Sequence, residues 1–113
     1  MTFDPVKNPR HYSGDGKISC MDAMVSMSHD SATVLDAATI YWWLSAFKYL
    51  WRWPWKNKDQ DIDKCIRCLE YMKKSYKKNE KRKLKKMVKK YKEKYPKMGF
   101  HSGLNGFITR EER

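Results

Sequence analysis

Lys48, Arg52, Lys56, Asp61 and Lys64 are the residues whose types and spacing could do chemistry. Lys and Arg neutralise phosphoryl oxygens, Arg in a bidentate fork, and a carboxylate among them could hold a divalent cation that bridges phosphates. Tyr49 and several tryptophans stand beside them, and aromatic rings can stack on bases. Binding or transfer of phosphoryl groups is the chemistry that suits such a set. The same residues also read as surface ion pairs, Asp61 with Lys64 and Asp63 with Arg67, each worth under about 1 kcal/mol.

Two helices must bring these residues together. Thr33 followed by Asp36 reads as a capping box, and the stretch LDAATIYWWLSAFKYLWR behind it is apolar on nearly every face, which predicts a central helix ending at Arg52 before Pro54. After a turn at Trp53 to Lys58, Asp59, Asp61 and Asp63 place negative charge in the first turn of a further helix with the apolar face Ile62, Cys65, Ile66, Leu69 and Met72. Its period continues weakly to about Lys94, with a possible break at Asn79, and Pro96 ends it. So short a connection predicts an antiparallel hairpin. Lys48, six residues before Pro54, then faces Lys64, six residues after Lys58.

The expected fold class is therefore all-α: a small helical domain on an antiparallel hairpin, with an extended N-terminal arm and a long basic C-terminal helix. Prolines and glycines predict an arm without helix over 1–17, ending in a turn. The apolar spacing of Ile18, Met21, Met24 and Val25 predicts a short helix to Met27, within a core domain of 18–72. A lysine-rich extension follows over 73–97, and the glycine-bearing 98–113 reads as a tail.

With 113 residues and five Trp, the chain is sized for one folded domain and too rich in large apolar groups to be wholly disordered. The net charge of +12 is concentrated in residues 73–97, which hold fourteen Lys or Arg against Glu80 and Glu93. Lys81, Arg82, Lys85, Lys86, Lys89 and Lys90 are candidate polyanion contacts there, for nucleic acid or an acidic protein, or simply a solvated face. Cys20, Cys65 and Cys68 are odd in number, and the start MTFDPVKNPRHY lacks the apolar stretch of a secretion signal, so a cytoplasmic, reducing location is expected. The CxxC at Cys65 and Cys68 lies on an apolar helix face and reads as core packing. The apolar run Ala37 to Phe47 is shorter than the roughly 20 residues of a membrane span. Trp42, Trp43 and Trp51 are expected in the core or in a homo-oligomer interface, and Trp53 and Trp55 beside a ligand.

NPRHYS at 8–13, ISCMDAM at 18–24, FKYLWR at 47–52 and DIDKC at 61–65 also occur in a recognisable order. The chain resembles a family of small bacteriophage proteins of the SaV-like type, with the approximate pattern NPxHY, IExID, GNAxKYLWRxGxK and EDLxKAxxYL, over about residues 8–72. That family includes a phage nucleoside monophosphate kinase without a Walker loop. The resemblance implies a phage-encoded nucleotide-binding protein acting in the infected bacterial cell, phosphorylating deoxynucleoside monophosphates with Mg2+ present, or else a non-enzymatic protein that counteracts or triggers host defence by binding a host protein, a signalling nucleotide or nucleic acid. It implies Asn8, His11, Tyr12, Lys48, Tyr49, Arg52, Lys56 and Lys64 as nucleotide contacts. It further implies Asp61, Asp22 and His11 as catalytic groups, with Asp61 or Asp22 on the metal. The pattern departs at Ser19, Leu44-Ser45 and Pro54, where an acidic residue, Gly-Asn and Gly are expected.

Overall fold

A single helical turn interrupts the N-terminal arm. The computed structural model describes residues 3–97, and within them Arg10–Ser13 form helix α1, where the prolines and glycines predict none. The turn closes because the Ser13 hydroxyl donates to the Pro9 carbonyl at 2.7 Å and also to the Asn8 side-chain oxygen, burying Ser13. Gly14 follows at φ +58, ψ −132, a conformation open to glycine at little cost.

Helix α2 spans Cys20–Met27 and is capped by a complete capping box: the Asp22 N–H donates to the Ser19 hydroxyl oxygen, and the Ser19 N–H donates to the Asp22 carboxylate. The box expected at Thr33 and Asp36 does not form. Thr33 closes a 3-10 turn over Ser31–Thr33, its hydroxyl donating to the Asp30 carbonyl, and Asp36 is the N-cap residue of α3, accepting from the Thr39 hydroxyl. Helix α3 therefore runs Ala37–Arg52, followed by a 3-10 turn at Trp53–Trp55 whose entry Pro54 favours. Helix α4 spans Asp59–Lys94 without a break at Asn79. No strand occurs among the described residues, and the architecture is all-α.

The chain divides into two units between Asn79 and Glu80, a boundary that α4 crosses. In the first unit, contacts between α3 and α4 step away from the connection on both helices: Arg52 with Asp61, Tyr49 with Lys64, Ala46 with Cys65 and Cys68, Trp42 with Tyr71. Ala46, Cys65 and Cys68 form the buried cluster, with Trp42 and Tyr49 packed against it. Burial pushes the Cys65 and Cys68 thiols up, so both stay protonated as packing groups.

The buried face of α4 differs from the expected one. Asp61, Cys65 and Cys68 point inward, while Ile66 and Leu69 are 50% and 43% exposed. The helix is turned by about one residue, roughly 100°, relative to a purely apolar seam, because the Arg52 contact draws Asp61 inward. Helix α3 is likewise less enclosed than its composition suggests: Thr39 and Ala46 are buried, but Tyr41 and Leu50 stand mostly exposed.

In the second unit, α4 continues from Glu80 to Lys94 with its basic side chains outward and Leu84 and Val88 half-buried.

Candidate functional site

Arg52, in the last turn of α3, is the hub of the site. Its Nε donates to Asp61 Oδ2 at 3.1 Å, its Nη2 to Asp61 Oδ1 at 3.2 Å, and its Nη1 to the Tyr12 hydroxyl at 2.7 Å. Asn57, from the connection, adds its backbone N–H at 3.3 Å and its side-chain amide at 3.2 Å to the same carboxylate. Asp61 is fully buried, and both of its oxygens are occupied. Burial alone would raise its carboxyl, but the bonds from Arg52 and Asn57 outweigh this and hold it below the usual carboxylate range. One network thus ties α1, the end of α3 and the start of α4 together.

Three cations converge on the ring of Tyr49. Arg52 Cζ lies 4.8 Å from its centroid, Lys48 Nζ 5.0 Å and Lys64 Nζ 5.5 Å. The quadrupole of the ring makes such clustering tolerable, at about 0.5–1 kcal/mol per contact where solvent reaches. His11 senses the same field. Burial first, then the charges of Lys56 and Arg52, lower its pKa against a partial offset from Asp61, so its imidazole is neutral at pH 7. It packs on Tyr12 at 4.2 Å between centroids.

The nucleotide-site candidates Tyr12, Lys48, Tyr49, Arg52 and Lys64 thus meet through Arg52 and the Tyr49 ring, and His11 and Lys56 lie within their electrostatic reach. Asn8 uses its side-chain oxygen to fix α1 through Ser13. Asp22 is an exposed capping residue of α2. The expected pairs Asp61 with Lys64 and Asp63 with Arg67 are replaced by Asp61 with Arg52 and Arg67 with Glu70. Trp55 has one face covered by Arg10, whose Cζ is 3.7 Å from the ring centroid and 5.4 Å from that of Phe3.

The donor set does not suit a resident Mg2+. Asp61 has no lone pair turned to solvent, Asp22 serves the cap, and among the described residues no group of three His, Cys, Asp or Glu could hold a metal ion. Sequence reasoning also missed Asn57, Ser13 and Arg10. For Asn57 no local signal was available, because it reaches Asp61 by donating to its carboxylate across the turn rather than by capping α4.

Lys81, Arg82, Lys85, Lys86, Lys89 and Lys90 all stand on α4 in the second unit, and all are exposed. Among the described residues no helix is long and apolar enough to cross a membrane. No family model, no curated protein and no solved structure matches the chain.

Proposed function

We propose that α3 and α4 form the expected antiparallel hairpin and that its Tyr49 end binds the phosphates of a nucleotide. The gathering of Lys48, Arg52 and Lys64 on one ring supports this reading, because the carboxylate of the cluster, Asp61, is already consumed by Arg52 and Asn57. Lys48, Lys56 and Lys64 supply the charge for phosphoryl oxygens, and His11 and Tyr12 line the approach for sugar or base. Asp61 is a positioning residue that fixes Arg52. The likeness of NPRHYS, FKYLWR and DIDKC to the small phage protein family that includes a nucleoside monophosphate kinase supports phosphoryl transfer between nucleotides as the activity, in the cytoplasm of an infected bacterium. Such catalysis rests on positioning and charge neutralisation, and Mg2+ would enter with the triphosphate rather than on Asp61.

A second reading is binding without turnover, as in a phage protein that engages a signalling nucleotide or a host defence factor. The enclosure of Asp61 favours it, since that carboxylate cannot accept a proton or a metal without breaking the network. The exposed Tyr41, Leu50, Ile66 and Leu69 suit a second copy of the chain, which light scattering would register as a dimer.

Calorimetry and melting with dGMP, dTMP and ATP test the site. Lys48→Ala with Lys64→Ala should weaken the nucleotide that stabilises the parent by tenfold or more, and equal affinity in the double variant would sink the proposal. A coupled assay for diphosphate formation then separates the readings: turnover supports the kinase, and binding without turnover supports the second.

A further inference from the structure

The helix of the second unit carries a charge pattern that the nucleotide site does not use. Between Lys81 and Lys94 nine residues are Lys or Arg against Glu93 alone, and Glu80 just before them is engaged by Lys83 at 3.4 Å. Lys81, Lys85, Lys89 and Lys92 follow one another at steps of four, four and three, so they share one face. Arg82, Lys86 and Lys90 repeat the pattern on the adjoining face. Leu84, Met87, Tyr91 and Tyr95 occupy the opposite stripe, with Tyr91 and Tyr95 in ring contact at 5.0 Å.

This arrangement is costly to an isolated helix. Lys81/Lys85, Lys85/Lys89, Arg82/Lys86, Lys86/Lys90 and Lys90/Lys94 are like charges at i,i+4, each destabilising by about 0.2–0.5 kcal/mol. A partner that supplies closely spaced negative charge would remove that repulsion. At about 1.5 Å per residue the segment bears one positive charge per ~2.3 Å of axis, against about one phosphate charge per 1.7 Å of duplex.

We propose that the 81–94 segment of α4 is a binding surface for duplex DNA, read through its phosphates without sequence preference. Eight of the nine cations are Lys, compact point charges suited to phosphate contacts rather than to the bidentate base recognition that Arg provides. B-form DNA fits the rod better than A-form RNA, because its major groove admits an α-helix and that of RNA is too narrow. A bilayer surface fits less well, since membrane binding scales with the apolar area inserted, and with Leu84 and Val88 already half-buried the exposed stripe is reduced to Met87 and two tyrosines.

Fluorescence anisotropy of the full chain with a labelled duplex of about 20 base pairs tests this. Affinity should fall roughly a thousandfold between 50 and 200 mM salt if about six phosphates are neutralised. Lys85→Glu with Lys89→Glu should weaken binding at least tenfold and flatten the salt slope by about 2, while circular dichroism shows the helix retained. Lys48→Ala with Lys64→Ala should leave duplex affinity unchanged, which keeps this surface distinguishable from the nucleotide site. Equal duplex binding by the Lys85/Lys89 double variant, binding indifferent to salt, or preference for double-stranded RNA or for phosphatidylserine vesicles over duplex DNA would each overturn the proposal.

Discussion

Arg52 holds Asp61 by two nitrogens at once, Nε at 3.1 Å and Nη2 at 3.2 Å, and gives its remaining nitrogen to Tyr12. The side chains are 11% and 0% exposed, so removing one partner strands the other in a poorly hydrated place. Asp61→Asn should therefore cost roughly 3 kcal/mol or more, because the guanidinium keeps its charge and loses its counter-charge. Arg52→Lys should also destabilise, since an ammonium cannot reach both Asp61 oxygens and Tyr12 together. Urea midpoints check both. A midpoint for Asp61→Asn equal to the parent's would show the network to be dispensable.

Acid should expose the same network. The carboxyl of Asp61 is held below its ordinary value near 3.8, with the bonds from Arg52 and Asn57 overcoming the penalty of burial. A depressed carboxyl gives stability that is fully present above 3.8 and lost as pH falls through the lower folded value. Between pH 5 and pH 2.5 the parent should lose more stability than Asp61→Asn, and parallel curves would count against this assignment.

The extent to which this fold could be read from sequence follows from how local each determinant is. Helices α2 and α3, the Pro54 stop and the core placement of Cys65 and Cys68 all rest on periodicity within one segment, and the structure has them. Ser19 with Asp22 and Thr33 with Asp36 have the same spacing, so spacing could not tell that the first closes a box on α2 while at the second Asp36 itself takes the N-cap of α3. The orientation of α4 was ambiguous for a related reason: 61–72 contains two overlapping faces, and the Arg52 contact, between different elements, selects the one containing Asp61. Arg52, Tyr49, Lys48 and Lys64 were legible as a group, whereas Asn57 enters only through the three-dimensional turn.

Gly14 is where the N-terminal arm meets α3, and it should tolerate no side chain. A Cβ there would stand 2.7 Å from the Ile18 carbonyl oxygen and 2.9 Å from Trp51 Cζ2, at a φ of +58 that already disfavours L-residues. Gly14→Ala should cost on the order of 2 to 4 kcal/mol through strain and clash combined. Thermal melting followed by tryptophan fluorescence would record it, and a melting temperature within a degree of the parent would show that the arm repacks freely.

His11 supplies a signature in which stability and affinity move in opposite directions with pH. Burial, Lys56 and Arg52 hold its folded pKa below 6.5, so the unfolded chain takes up the proton first as pH falls. The native state is not penalised above pH 6.5 and loses stability progressively below it. A phosphate bound at Lys56 and Arg52 would cancel the two charges that depress His11, so binding draws a proton onto the imidazole. Affinity relative to His11→Gln should therefore rise as pH is lowered from 7.5 to 5.5, while the stability of the free protein relative to the same variant declines. Taking the ratio to His11→Gln removes the titration of the phosphate itself, which loses charge near pH 6. Calorimetry in buffers of different ionisation enthalpy would read the proton uptake directly. Uptake that is identical in the parent and in His11→Gln would place the nucleotide away from His11.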